Sequence, residues 1–330
     1  MRLVGWALVA AACIGGLLAP VVAPHAVDDR RPGLLNAPPT RPHLVDSDGS
    51  LHAPFIYSWT LVDQLEQRYV ENRGTRIPLV WMSEGRLVRS SNESSAPLLL
   101  LGADSYGRDV FSRLLFGART SLALSIVAAL GTVLLGAAVG GIAGYVGGAF
   151  DDLLMRASDF VLVLPAMYVA LGLRSVLPIV LSAQVVFALL ASIFAIVGAP
   201  FVARGVRAIV RSELQLDYAV AAQSLGASHL RMLGRHLLPA AAGFVGVQVT
   251  MLVPGFIVAE ATLSYVGLGF PEPVASWGTM LHDASNVRAF ADFPWLLSPA
   301  AAIFLVVLGV NLLLQSNPEA ARRRSIQSMG

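Results

Sequence analysis

The sequence predicts an all-α polytopic membrane protein of six transmembrane helices, with a small α/β or β-rich insertion outside the membrane after the first helix. Three observations predict it: the composition, the placement of charge, and one abrupt change of character along the chain. Hydrophobic residues fill 55% of the 330 positions and charged residues only 13%, with a mean hydropathy of +0.67. An ordinary water-soluble domain carries about a quarter of its residues charged. Leu122–Phe150, Ser175–Ala203, Leu237–Ala259 and Phe293–Pro318 carry no charge, and each exceeds the roughly 20 residues that cross a bilayer core. Residues 25–105, by contrast, are polar, charged and rich in proline.

Residues 1–24 hold the first helix, with Leu3–Val22 apolar behind Arg2. A secretory signal ending before His25-Ala26 is the competing reading. The apolar run of about 20 residues is longer than the roughly 7–15 of a signal core, and more spans follow, so a retained helix is expected. The single cysteine, Cys13, has no internal partner. Ala10-Ala11-Ala12-Cys13 also lacks the leucine of a lipoprotein cleavage site, and Cys13 reads as a helix residue.

Residues 25–105 read as a hairpin-rich module. His43-Leu44-Val45 and Leu51–Tyr57 flank the turn-forming Asp46-Ser47-Asp48-Gly49, and Ile77–Met82 and Leu87-Val88 flank Ser83-Glu84-Gly85. Ser90–Ser95 reads as a flexible polar loop. Residues 106–318 hold five further spans, placed at Ser121–Val146, about Ala157–Leu177, Ile179–Val202, about Leu237–Val266 and Trp295–Leu314. The second of these is the least regular. Asp159 and Arg174 leave Phe160–Leu173 uncharged between them, a rise of about 21 Å, so Arg174 must snorkel or the span must run past it. Residues 319–330 form an arginine-rich tail.

Orientation follows from arginine bias in short loops. With residue 1 inside, Arg2, Arg156, Arg204, Arg207, Arg211, Arg231, Arg235 and Arg322–Arg324 are cytoplasmic, while the short outer loops hold only Arg174 and Arg288. Both termini are then cytoplasmic and 25–105 faces outward. Trp277 and Trp295 fit an outer aromatic belt. A net charge of +2 gives no reason to expect nucleic acid.

The second span carries Gly136, Gly140, Gly144 and Gly148. Spacing of four stacks them on one face where another helix backbone can approach closely, in this chain or another. The loop 204–236 is basic and amphipathic. Asp217–Ser224 suggests a short helix, Gly226 a turn, and the residues up to His236 and Pro239 a second helix. Small Ala221, Ala222 and Ala227, with Tyr218 beside them and Leu225 and Leu230 as apolar anchors, suit docking into a partner's groove. A basic loop resting on anionic headgroups fits the spacing equally well. Glu260, an acid in an apolar stretch, is either structural at the interface or part of a pore or gate. Arg108 and Asp109 mark either a helix start or the wall of an outer vestibule. His229 and His236 lack metal-ligand spacing, and no metal is assigned.

Ala221-Ala222, Gly226 and His236…Pro239 resemble the EAA loop of binding-protein-dependent ABC permeases, in the form carried by the C-type subunits of dipeptide/oligopeptide (peptide/nickel family) ABC importers. Leu101–Arg113, Gly144-Tyr145-Val146-Gly147-Gly148 with Asp151–Arg156, and Glu260–Gly269 with Ser276-Trp277-Gly278 are similar to further segments of that family, in order over about 100–315. Three positions depart from its pattern: Val220 replaces the loop's acid, Ala103 replaces a threonine, and Leu314-Gln315-Ser316-Asn317 replaces a Gly-Asp ending.

The resemblance implies an ABC importer permease fold in the bacterial cytoplasmic (inner) membrane. Its implied partners are a homologous B-type permease subunit, two ABC ATPase subunits, an extracytoplasmic solute-binding protein and membrane lipid. It implies a peptide cargo, with nickel or another small solute as the alternative. The loop 204–236 becomes the ATPase-coupling loop. The chain itself is not an enzyme. It has no lysine, which a Walker phosphate loop requires, so ATP and Mg belong to the partner ATPases and no cofactor is expected here. An intramembrane protease is disfavoured because no Gly-x-Ser-Gly or His-Glu-x-x-His pattern occurs. An ion-driven carrier is disfavoured because no internal repeat is visible.

Overall fold

The computed structural model describes residues 1–46, 49–165, 168–169, 171–172, 181–285 and 291–315. In chain order the helices are α1 Arg2–Leu17, α2 Ala19–Val22, α3 Val110–Val146, α4 Gly148–Val163, α5 Ala183–Glu213, α6 Asp217–Ser224, α7 His229–Tyr265, α8 Trp277–Asp283 and α9 Ser298–Gln315. The strands are β1 His43–Val45, β2 Leu51–Asp63, β3 Arg68–Ser83 and β4 Arg86–Ser90. Four helical runs among the described residues are long and apolar enough to cross a membrane: Val110–Val146, Ala183–Glu213, His229–Tyr265 and Pro294–Gln315. The chain divides into two compact units, Arg2–Ser121 with Ala261–Gly309, and Leu122–Glu260 with Met1 and Val310–Gly330.

In the first unit, α1 is shorter than a span, but α2 continues it past Leu18 with Pro20 in its first turn. Glycines let α1 sit close to two longer helices. A Cβ on Gly16 would lie 3.0 Å from the Arg119 amide nitrogen, and one on Gly309 would meet Leu8 Cβ at 3.0 Å and the Gly5 carbonyl at 3.2 Å. Leu3, Ile14 and Leu17 stay exposed on α1, as side chains facing acyl chains would.

Between α2 and α3 lies one antiparallel sheet of order β1-β2-β3-β4, closed on Ile56, Ile77, Ala96 and Leu98. The two expected hairpins are present. The sheet also contains a third, unexpected one, the long β2–β3 pairing that runs from Phe55↔Pro78 to Asp63↔Arg68. Ser90–Ser95 is an ordered turn. Asn92 Oδ1 accepts hydrogen bonds from Ser94 Oγ at 2.8 Å and the Ser95 amide at 3.3 Å, which gives the polar run a fixed shape.

The second unit is built on α3 and α5. Val133, Val202, Val206, Val210, Leu237 and Ala241 form its buried core. The glycine ladder of α3 faces α5 of the same chain. A Cβ on Gly136 would sit 2.6 Å from Val202 Cβ and 2.8 Å from the Ala199 carbonyl, and one on Gly144 would lie 2.8 Å from the Arg207 carbonyl. Gly140 faces the Ala203 backbone. Gly148 departs from the expectation. It lies past the end of α3 with φ +61° and open space at its Cβ. With Gly147 at φ +67° it forms the corner into α4, a conformation that glycine adopts without strain.

The expected span over about Ala157–Leu177 is also drawn differently. Helix α4 begins earlier, at Gly148, and ends at Val163. Arg174, with most of the stretch after α4, lies outside the described residues, as do Arg288 and the tail from 316 onward.

Candidate functional site

The loop singled out in the sequence forms a shaped surface in the second unit. Helix α5 ends at Glu213, and Leu214–Leu216 turns the chain into α6. Asp217 opens α6, its carboxylate favoured by the positive end of the helix dipole. The far end of α6 is a Schellman motif. The Gly226 amide donates to the Gln223 carbonyl at 2.9 Å, and the Ala227 amide reaches back to the Ala222 carbonyl at 3.1 Å. That motif requires a left-handed residue, and Gly226 supplies it with φ +77°. A Cβ there would touch nothing within 4 Å. The reason for glycine is therefore backbone conformation and not space.

Helix α7 then begins beyond Ser228 and passes through a π segment, Met232–Leu237, and a 3-10 turn, Leu238–Ala241, before continuing as regular α-helix. Pro239 explains the irregularity. It has no amide hydrogen and its ring collides with the carbonyl four residues back; the wider and tighter turns absorb both.

This geometry sorts the side chains. Ala219, Met232 and Leu237 are fully buried. Tyr218, Val220 and Ala221 are exposed, as is Pro239, while Ala222, Ala227 and His236 are half-buried. Leu225 is 89% exposed and Leu230 86% exposed, either side of the glycine turn. Arg231 and Arg235 are exposed beside them. Two leucines held out by a rigid turn form an apolar projection with a basic border, a shape that needs covering.

The projection is tied to the long helices. Tyr218 donates from its hydroxyl to Glu213 Oε2 at 2.6 Å and reaches the His236 carbonyl at 3.5 Å. The Glu213 hydrogen bond raises the Tyr218 phenol above its ordinary value. At the other side Tyr145, at the end of α3, shares a 2.6 Å hydrogen bond with His229 Nδ1. A hollow of about 660 Å³ lies beside this pair, lined by Ile142, Tyr145, Val146, Gln223, His229, Leu230 and Leu233. Nearby, Asp151 is clamped by Arg207, whose Nη2 lies 2.5 Å from Oδ2, and by Arg211 at 3.4 Å. Arg204 pairs with Asp159. Sequence reasoning missed Tyr145–His229 and Asp151–Arg207, since only the fold brings residues 84 and 56 positions apart together.

Glu260 is fully buried, five residues before the end of α7.

In the first unit, the Leu101–Arg113 segment divides its roles. Asp109 starts α3: its carboxylate accepts from the Phe111 and Ser112 amides at 3.2 and 3.1 Å and pairs with His25 at 3.2 Å. Arg108 is the centre of a buried ion cluster. Its guanidinium donates to Asp104, Glu272 and Asp283, each at 2.6 Å. Arg113 adds Asp283 at 3.5 Å and Asp104 at 3.7 Å. Burial opposes the effect on Glu272, yet its Arg108 hydrogen bond and the surrounding arginines hold the carboxyl below its ordinary value. Burial wins at Asp283, whose carboxyl is raised despite Arg108 and Arg113.

Residues 132–317 match the family described as the binding-protein-dependent transport system inner membrane component. The chain is 38% identical over 213 residues to an oligopeptide transport system permease protein OppC of Bacillus subtilis, covering 64% of this chain and 67% of that one. It is 37% identical over 222 residues to a glutathione transport system permease protein GsiD of Pectobacterium atrosepticum, covering 67% and 71%. With a dipeptide transport system permease protein DppC of Bacillus subtilis it shares 36% identity over 212 residues, 64% of each chain.

Proposed function

The chain belongs to the family of binding-protein-dependent transport system inner membrane components, and on that premise we propose that it is the C-type permease subunit of an ABC importer for di- or oligopeptides. The proposal gives it six spans, two of them being the α1–α2 run and the α4 region. Both termini are cytoplasmic and the β-sheet faces outward, as the arginine bias requires. Its partners are a homologous B-type permease, two ABC ATPases and an extracytoplasmic solute-binding protein. The relatives' names, oligopeptide, dipeptide and glutathione permease, support a peptide cargo.

The observation that carries the reading is the projection of Leu225 and Leu230 from a Schellman turn. An ATPase groove would cover these side chains, and Val220, exposed where related loops carry an acid, makes the contact apolar. ATP binding supplies energy only if the ATPase pair contacts this surface differently in its open and closed forms. Displacement of α6 would then pull on α5 through Tyr218–Glu213, and displacement of the start of α7 would pull on α3 through Tyr145–His229. The glycine ladder makes α3 and α5 move as one body. Asp151 and its arginines bind α4 to the same body.

The test is uptake by the complete complex in proteoliposomes. A labelled peptide should enter only with ATP and the solute-binding protein, and Leu225→Arg should abolish uptake while the protein stays folded. Uptake of nickel but not peptide would move the cargo to the family's other class. Uptake driven by an ion gradient without ATP would refute the ABC reading.

A further inference from the structure

We propose that the β3–β4 hairpin is an interfacial anchor whose turn lies in the lipid headgroup layer at the end of the first span. The proposal rests on the reading of α1 and α2 as membrane-crossing. Ala19 and Ala23 are fully buried although α2 is a single apolar turn. Strand β4 is what packs on α2. Arg86 Nη1 donates to the Ala23 carbonyl at 3.1 Å, one of the helix-end carbonyls left without an amide partner. Three residues past the strand, Glu93 lies in the field of His25 and Arg31. Strand β4 thus climbs away from the bilayer alongside the chain that leaves α2, and its turn end is the end nearest the membrane.

The turn is built to point outward and to be apolar. Ser83↔Arg86 closes a two-residue loop. Glu84 and Gly85 take φ +51° and +74°, the left-handed pair of a type I′ hairpin. Met82 also has φ +53°. In this register Met82 falls opposite Leu87, and Trp81 pairs with Val88. Trp81 is 57% exposed, Met82 76% and Leu87 39%. Water is a poor surrounding for a tryptophan, a methionine and a leucine on one hairpin tip. The exposed Leu17, Leu18 and Val21 of the adjoining helix end meet acyl chains, so the same lipid continues to the turn. Tryptophan favours this depth because its ring is apolar and its N–H reaches water or phosphate. Glu84 is already neutralised by Arg89, so the turn brings no uncompensated negative charge into a headgroup layer.

The test uses the complex in phosphatidylcholine–phosphatidylglycerol nanodiscs, with Cys13→Ser removing the one natural cysteine and a nitroxide placed in turn at Met82→Cys, Leu17→Cys and Thr75→Cys. Thr75 lies in the exposed, charged excursion of β3 between Asn72 and Ile77 and serves as the aqueous reference. At position 82 relaxation by oxygen should exceed relaxation by a water-soluble nickel chelate, as at position 17, with the order reversed at 75. Native fluorescence gives an independent reading: brominated lipid should quench the wild type, and Trp81→Phe should remove that part of the quenching. A label at 82 that behaves like 75, or that neither reagent reaches, overturns the anchor while 17 still reports lipid. A label at 17 that reports water overturns the membrane-spanning reading itself.

Discussion

Replacing Arg108 with methionine removes the cation that three carboxylates share while keeping a side chain of similar length. Asp104 and Asp283 are 8% and 13% exposed, so their pairs are buried, and breaking a buried pair costs about 3–5 kcal/mol. Glu272 is 45% exposed, and its share falls to the ~0–1 kcal/mol of a surface pair. Arg113 stays within 4.0 Å of all three acids and recovers part of the loss. A net cost of about 3 kcal/mol is expected near neutral pH, or roughly 4 °C in the melting temperature of the detergent-solubilised protein. The pH dependence has a definite sign. The Asp283 carboxyl is raised in the fold, so its contribution is present below the unfolded value and is lost as pH rises through the folded one. Without Arg108 it rises further, and acid relieves the repulsion among Asp104, Glu272 and Asp283. In the wild type, Glu272 opposes this trend, since a lowered carboxyl loses its contribution as pH falls. The deficit of the variant should therefore narrow by about 1 kcal/mol or more between about pH 7.5 and about pH 5. Thermal melts of both proteins across that range measure it. A deficit that is absent, constant or wider in acid would refute the reasoning.

Other expectations follow from the second unit. Gly140→Leu forces a side chain into the Ala203 backbone and should cost about 1–3 kcal/mol by overpacking, read as a lower melting temperature. Gly226→Ala should cost about 1–2 kcal/mol from its left-handed backbone alone, whereas Gly226→Asn should retain uptake; equal uptake by both would show that the turn tolerates any residue. Tyr145→Phe removes one hydrogen bond to His229, worth about 0.5–1.5 kcal/mol. It should lower the peptide transported per ATP hydrolysed more than it lowers stability.

The long spans were legible because charge-free runs have few other uses. The hairpins β1–β2 and β3–β4 were legible because Asp48-Gly49 and Glu84-Gly85 mark their turns. The β2–β3 hairpin was hidden. Its turn contains neither glycine nor proline and is held instead by Asp63 Oδ1, which accepts from the Leu65 and Glu66 amides at 2.8 and 3.1 Å. Its strands are exposed over much of both faces, so no alternation announced them. The glycine turn and small-residue character of the coupling loop could be read locally. The partner of the glycine ladder, the burial of Glu260 and the convergence of Glu272 and Asp283 on Arg108 could not, because each depends on residues far away in sequence.

The most direct measurement places a photo-crosslinking amino acid at Leu225 in the complete complex and identifies what it captures. Capture of an ATPase subunit, altered by ATP and lost in Leu230→Arg, is the result expected of a coupling surface. Capture of lipid alone, with the ATPases still bound and transport intact, would contradict it and return the loop to the membrane surface.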